Sequence, residues 1–389
     1  MLTILCLVAS VPLAVLLLQR RSAQPGVTVT RFATFNVALN RGAPGALLAE
    51  LRRGDSQQAR AVAEVVQRVA PDVLLLCELD HDDAAAAAEE FATRYLAVPQ
   101  AGQEPIRYEH RFVAAVNTGV PSGRDLDGDR RSDGPGDAYG FGAFPGQYGM
   151  VLLSRHPILT AQVRTFAQLP WSRMPGADRP PGLDDATWNA LRLSSKSHWD
   201  VPVGVGHEVV HVLCSHPTPP VFDGPEDRNG RRNHDEIRFW VDYLTPGAAD
   251  WIVDDAGITG GLPAGVPFVL LGDQNCDPLD GDARRAALQA LLQHPRVQDP
   301  APRSAGGEAA AKAQFGANAG QQGEPALDTG DFEDAPGTGP GNLRVDYVLV
   351  AAGRRVTASG VFWPLAHEPG AAAAGASDHR LVWADVETR

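Results

Sequence analysis

Pro267-Phe268-Val269-Leu270-Leu271-Gly272-Asp273-Gln274-Asn275 is the stretch from which the rest of the chain is read. Its apolar run stops at Gly272, as a buried strand does where it empties onto its C-terminal edge. Asp273 and Asn275 follow one residue apart. Alternate residues of an extended chain point the same way, so a carboxylate and a carboxamide share one face at the strand mouth. In isolation a polar turn after a core strand would look the same.

Other segments repeat the pattern. Phe32-Ala33-Thr34-Phe35-Asn36 ends in a carboxamide, and Asp72-Val73-Leu74-Leu75-Leu76-Cys77-Glu78 ends in a carboxylate. Val209-Val210-His211-Val212-Leu213-Cys214-Ser215-His216 ends in an imidazole, and Arg344-Val345-Asp346-Tyr347-Val348-Leu349-Val350 carries Asp346 near its start. Ser377-Asp378-His379-Arg380 precedes a closing strand, Leu381-Val382-Trp383-Ala384. A polar residue at one strand end is ordinary; this ordered set is not.

In this order the residues resemble the endonuclease/exonuclease/phosphatase superfamily, with its deoxyribonuclease-I-like fold, from about residue 28 to residue 386. Gln147-Tyr148-Gly149-Met150-Val151-Leu152-Leu153-Ser154-Arg155-His156-Pro157 resembles that family's G-x-x-x-L-S-R-x-P strand. Gln274 departs from the residue many relatives place between Asp and Asn. Strands alternate with helices, yet several strands follow one another directly. Both observations lead to an α/β fold, a four-layer α/β sandwich of two packed mixed β-sheets flanked by helices.

The resemblance implies phosphoester hydrolysis with Mg²⁺ or Mn²⁺. Glu78 supplies a hard oxygen ligand, and Asn36 and Asp378 complete the metal set by resemblance. Asp273 orients or deprotonates the water, and Asn275 donates to phosphate oxygens. His216 donates to a nonbridging oxygen or protonates the leaving group. Asp346 fixes the tautomer of His379, which activates water or holds the phosphate. Whether Asp273 or His379 is the base stays open at this level.

The 389 residues suffice for a large core. The catalytic domain is expected over residues 28–387, with insertions near 102–146, 166–197 and 302–342. Net charge is −13, so the global basic footprint of a nucleic-acid binder is lacking. Duplex binding would need a local arginine patch or a bridging cation. Lysine occurs only at Lys196 and Lys312, while Arg, Ala, Gly and Pro abound; a GC-rich genome accounts for this. The substrate is expected to be a phosphoester: the first reading is a phosphodiesterase or nuclease on nucleic acid, the second a phosphomonoesterase or phospholipase C-like enzyme on inositol phosphate or a phospholipid such as sphingolipid. No protein partner is implied.

Residues 1–24 carry an apolar run from Leu2 to Leu18 followed by Arg20-Arg21, read as a signal peptide or an N-terminal membrane anchor, and thus an extracytoplasmic enzyme. Apart from Cys6 in that segment, Cys77, Cys214 and Cys276 are an odd count that gives no disulfide framework and no zinc spacing; small buried thiols are expected, with one disulfide open to an exported protein.

Within 102–146, Asp125, Asp127, Asp129 and Asp133 have the alternation that suits Ca²⁺, but glycine is fourth rather than sixth and no Glu closes the loop. A solvated acidic turn competes with a Ca²⁺ site there, and a Ca²⁺-bound surface module without turnover is the reading outside the enzymes. Helices are expected at 56–69, 84–95, 233–244 and 280–293. The segment 228–233, leading into the third of these, reads either as cations and a helix N-terminus aimed at phosphate or as a solvated loop. Residues 166–197, with Trp171 and Trp188, shape the substrate mouth or merely pin their own loop. Residues 302–342 show no periodicity and read as a mobile insertion.

Overall fold

A computed structural model describes residues 28–82, 84–335 and 339–389. The segment 1–24 read as a signal or anchor lies outside them. Among the described residues no helix is long and apolar enough to cross a membrane.

Along the chain, β1 (Thr28–Leu39), β2 (Val73–Leu79), β3 (His110–Phe112) and β4 (Met150–Ser154) lead to β5 (Arg164–Thr165), β6 (His198–Val205), β7 (Glu208–Ser215), β8 (Phe268–Asp273) and β9 (Val297–Gln298). After the short ribbon β10 (Gly330–Asp331) and β11 (Asn342–Leu343) come β12 (Asp346–Ala351), β13 (Val356–Val361) and β14 (Val382–Thr388). One six-stranded sheet has the order β13-β14-β1-β2-β4-β3, the other β5-β6-β7-β8-β12-β9. β1–β2 and β7–β8 are parallel; the remaining pairs in both sheets are antiparallel.

The helices are α1 (Ala46–Arg53), α2 (Gln57–Val69), α3 (Ala86–Phe91), α4 (Asp185–Ala190), α5 (Arg228–Leu244), α6 (Ala286–Leu292), α7 (Ala305–Gln314) and α8 (Ala371–Ala374). α2 starts where Ser56 Oγ accepts from Ala59 N at 3.2 Å and stops where Ala70 turns left-handed at φ 51°. Its Val62, Val65, Val66 and Val69 are buried, each contributing roughly 1.5–3 kcal/mol.

Both faces of the central strands are covered, which is why they read as continuous apolar runs rather than alternating ones. On β8, Val269 and Leu271 pack in the core between the sheets with Val73, Leu75, Trp199 and Val348. Phe268 and Leu270 pack on the other face with Ile237 and Trp240 of α5 and Leu288 and Leu291 of α6. On β2, Leu74 and Leu76 pack against α2. The layers are therefore helix, sheet, sheet, helix.

The core also holds His198, whose Nδ1 lies 2.6 Å from Ser194 Oγ and whose Nε2 lies 2.9 Å from the Glu236 carbonyl. Burial pulls its pKa from 6.5 down to about 3. A depressed histidine contributes stability that is complete above 6.5 and lost as pH falls toward 3. The loss amounts to roughly 5 kcal/mol at most, at 1.36 kcal/mol per unit. Thermal unfolding of His198→Gln should thus lose part of the wild type's fall in Tm between pH 6.5 and 4. Parallel Tm profiles would remove His198 from the acid response.

Several expectations need correction. α5 begins at Arg228, five residues earlier than the apolar stripe suggested. The helix expected at 280–293 is only α6, and that at 84–95 is α3 followed by one wide turn, Ala92–Leu96. Residues 302–342 are not structureless. They contain α7 and β10–β11, and Gly306 packs so tightly on Trp363 that an added Cβ would lie 2.1 Å from its carbonyl oxygen.

Candidate active site

Topology brings the polar strand ends together. β1 and β2 run in one sense, as do β7 and β8, placing Glu78, His216 and Asp273 at or just past C-terminal strand ends. β12 and β14 run back along β8 and β1, so their beginnings return to the same edge: Asp346 is in register with Asp273, and Val382 with Thr34. Gly272 permits the close approach of β8 to β7, since a Cβ there would meet the Ser215 carbonyl at 1.9 Å.

Asp273, 1% exposed, is the centre. Its Oδ1 accepts from Asn275 N at 2.8 Å and its Oδ2 from Asn36 Nδ2 at 3.1 Å. The same Oδ2 faces His216 Nε2 at 3.4 Å and His379 Nε2 at 3.6 Å. Both separations are long for a hydrogen bond, so two imidazoles flank one carboxylate without being satisfied by it. His379 Nδ1 is engaged instead by Asp346 Oδ2 at 2.9 Å. Asp273, Asp346 and His379 offer donor atoms within 4.8 Å of one another. The last two are joined at hydrogen-bond distance, so the trio can hold a proton, and its spacing is also one that can hold a cation.

Glu78 stands beside this trio and is partly open to solvent. Its Oε1 accepts from Asn36 Nδ2 at 3.1 Å, its Oε2 accepts from Asn40 Nδ2 at 2.9 Å, and His216 Nε2 lies 4.0 Å away. Glu78, Asn275 and Tyr148 all have left-handed φ, at 60°, 49° and 54°. Such non-glycine strain costs about 1–3 kcal/mol per residue and gathers at functional sites.

The charges divide unevenly. Burial raises the pKa of Glu78, and burial raises that of Asp273 to about 6. Burial works against protonation of His379 too, but Asp346 and Asp273 outweigh it and hold its pKa near 10. His216 is pushed well down, by burial first and then by Lys196 and His379. Among the described residues neither His216 nitrogen has a hydrogen-bond partner. A buried polar group left so is waiting for a ligand or water.

Asn36 presents its NH₂ to Glu78 and Asp273, while its Oδ1 accepts from Ala38 N at 3.2 Å. Asn275 supports Asp273 through its backbone, and its Nδ2 donates to Pro217 O at 3.0 Å. Asp378 is exposed; its Oδ1 accepts from Ser377 Oγ at 3.3 Å.

Two cavities meet at Glu78. One, of about 710 Å³, is lined by Leu126, Phe141, Trp171, Leu191, Lys196 and Arg232, among others. The other, of about 820 Å³, is lined by His379, Asn275 and the acids Asp277, Asp280, Asp282, Glu333 and Asp378. Both share the lip Pro219, Val221 and Phe222.

Other expectations resolve as follows. Asp125 and Asp127 group with buried Asp137, not with Asp129 and Asp133. Asp133 pairs with Arg131 at 3.0 Å, and Asp129 Oδ1 accepts from Arg131 N at 2.7 Å. The grouped carboxylates already accept from the backbone N–H groups of Gly128, Arg130, Asp129, Leu126 and Gly134. The turn is held by its own backbone, and the three carboxylates stay close enough together to take a cation. Nor are the cations of 228–233 free: Arg228 donates to Leu126 O, Arg231 pairs with Asp178, and Arg232 donates to Leu193 and Ser194 carbonyls. Trp171 pins its loop and stands in a cavity wall. Its Nε1 donates to Asp235 Oδ2 at 2.7 Å, and it lines the first cavity. Cys77, Cys214 and Cys276 are buried free thiols.

Sequence reasoning missed Asn40, the second support of Glu78, and Glu236. The Glu236 carboxylate accepts from Ser195 N, Ser195 Oγ and Thr218 N and so ties together two walls of the first cavity. Neither residue belongs to a pattern of local spacing.

Comparison with known proteins bears on the arrangement. Residues 33–379 match the model of the endonuclease/exonuclease/phosphatase family. A crystal structure of an endonuclease/exonuclease/phosphatase from Beutenbergia cavernae is 20% identical, with a TM-score of 0.51 over 92% of this chain and 71% of that one. Sphingomyelinase C from Streptomyces griseocarneus is 17% identical, with a TM-score of 0.44 over 92% and 99%. A mannosyl-6-phosphatase from Bacteroides thetaiotaomicron is 12% identical, with a TM-score of 0.44 over 92% and 99%. No protein in the comparison with curated sequences matches.

Proposed function

Because the chain belongs to the endonuclease/exonuclease/phosphatase family, whose members hydrolyse phosphoester bonds, we propose that it is a metal-dependent phosphodiesterase. The observation that carries this reading is the carboxylate of Asp273 between two imidazoles of opposite resting charge. Diester hydrolysis needs a proton taken from water and a proton supplied to the departing oxygen. Groups whose environments push their pKa values apart can divide that work. His379, held protonated by Asp346 and Asp273, is the donor toward the leaving or nonbridging oxygen. Asp273 takes the proton of water. His216, neutral and unpartnered, binds the phosphate or shares the water. Asn275 fixes the Asp273 carboxylate through its backbone N–H.

A divalent cation fits the donor set. Glu78 offers a carboxylate open to both cavities, and Asp378 lines one of them. Mg²⁺ binds through one or two carboxylates and keeps several waters. We assign it, or Mn²⁺, to Glu78 and Asp378, with Asn36 bracing Glu78. When bound, it neutralises charge that develops on the phosphate oxygens. Glu78→Gln should lose most activity in Mg²⁺ and recover part of it at high Mn²⁺. Full activity of this variant in EDTA would remove Glu78 from metal binding.

The six acids of the second cavity, Glu78 included, weigh against a long polyanion and favour a phosphoester with a small, neutral or cationic group there. The apolar lining of the first cavity suits a hydrophobic leaving group. Nucleic acid therefore remains the first reading only for ends or short segments, and a phospholipid-like or inositol phosphate ester is the second. A panel of plasmid, single-stranded DNA, RNA, sphingomyelin, inositol phosphates and a chromogenic diester, each with and without EDTA, tests this. Turnover of monoesters alone would contradict the diester reading. We also place the enzyme outside the cytoplasm, on the strength of the apolar run in residues 1–24; fractionation of producing cells tests it.

A further inference from the structure

Lys196 is one of two lysines in a chain that otherwise uses arginine for its cations. The other, Lys312, is exposed and paired with Glu308 at 2.8 Å. Lys196 is 6% exposed and lines the first cavity beside Glu78, Thr118 and Thr218. Among the described residues its ammonium makes no hydrogen bond and no ion pair. The carboxylate acting on it most strongly is Glu236, followed by those of Glu78 and Asp273. Glu236 is already spent on Ser195 N, Ser195 Oγ and Thr218 N. An ammonium has three donors and is costly to bury without partners. This one is held where an anion would satisfy it.

The anion is set by the surroundings. His379 lines the second cavity and Lys196 the first, and Glu78 lines both. A phosphoryl group attacked by water at Asp273 would have one cation on each side. A compact ammonium suits a single nonbridging oxygen, whereas a guanidinium's wider fork would reach for a carboxylate such as Glu78. Resting on the phosphodiesterase reading, we propose that Lys196 is the phosphate-binding cation of this site and donates to a nonbridging oxygen from the first cavity.

The competing role is a buried counter-charge for Glu236 and Glu78, which would affect folding alone. The test is Lys196→Met, nearly isosteric and uncharged, in the full chain with Mg²⁺. Three quantities are read: kcat and KM on a chromogenic diester, inhibition by inorganic phosphate, and the rise in Tm that inorganic phosphate produces. We expect a folded variant with kcat/KM lower by about 10²-fold. The inhibition constant of phosphate should rise about tenfold or more and the phosphate-induced Tm rise should vanish, as expected when a charge-assisted contact is lost. Lys196→Arg should recover part of each. A folded Lys196→Met with wild-type phosphate inhibition and protection would overturn the proposal. If that variant does not fold, Lys196→Gln, which keeps a donor in the buried position, is read by the same criteria. The Tm arm needs no turnover. A wild type that hydrolyses no diester yet shows Lys196-dependent phosphate protection overturns the hydrolysis reading alone. Turnover with Lys196-independent protection overturns this inference alone.

Discussion

Replacing Asp273 with Asn should lower kcat/KM by about 10⁴-fold on every phosphoester the protein turns over, the upper end of what one acid–base group supplies. The reason is convergence. Oδ2 of Asp273 receives Asn36 and faces both imidazoles, and Oδ1 receives the backbone of Asn275. An amide there can take no proton from water and no longer holds a charge opposite His379. The stability effect should run the other way. A carboxylate whose pKa is raised to about 6 by burial is strained when ionised at neutral pH. The isosteric amide removes that cost and misplaces at most one hydrogen bond, worth about 1 kcal/mol. Activity should therefore collapse while Tm holds or rises, a trade between function and stability that active sites show elsewhere. A variant that loses activity only in proportion to lost folded protein would make Asp273 a structural residue.

The second large effect is at His379. His379→Ala should cost about 10³–10⁴-fold on a diester with an alkoxide leaving group. The imidazole is fixed by Asp346 at 2.9 Å, sits edge-on to Phe332 at 5.3 Å between centroids, and keeps Nε2 toward the reacting centre. If it supplies the leaving oxygen with a proton, a nitrophenyl ester, whose leaving group needs none, should suffer at least tenfold less. Equal losses on the two esters would move the donor role to His216, the assignment suggested by chain order alone, and leave His379 as a phosphate binder. Asp346→Asn should follow His379→Ala in direction and by a smaller factor, because the tautomer loosens while the ring remains.

Much of this was legible in the chain because strand ends announce themselves. The run Val269–Leu271 stops at a glycine that its neighbour β7 requires, and an apolar run with both faces buried leaves a clear boundary. Glu78, His216, Asp273 and Asp346 each sit within one residue of such a boundary and His379 three before one, and the parallel and antiparallel pairings carry them to one edge. Asn36 sits three residues inside β1, which runs on to Leu39. The start of α5 was illegible for the opposite reason. Arg231, through Asp178, and Arg232 and Asn233 are built into the fold by hydrogen bonds to distant segments rather than by an apolar stripe. α7, poor in large apolar side chains, exists because its glycines fit against Trp363, a tertiary fact with no periodic trace. Asn40 and Lys196 act across the fold on Glu78 and its surroundings, and nothing in their local spacing marks them.

One measurement bears on the central claim most directly: hydrolysis of an alkyl phosphodiester by wild type dialysed against EDTA, before and after Mg²⁺ or Mn²⁺ is returned, with Asp273→Asn carried in parallel. The account predicts no turnover in EDTA, recovery with either cation, and no recovery in the variant. Turnover that persists in EDTA, or that Asp273→Asn shares once the cation is restored, would contradict it.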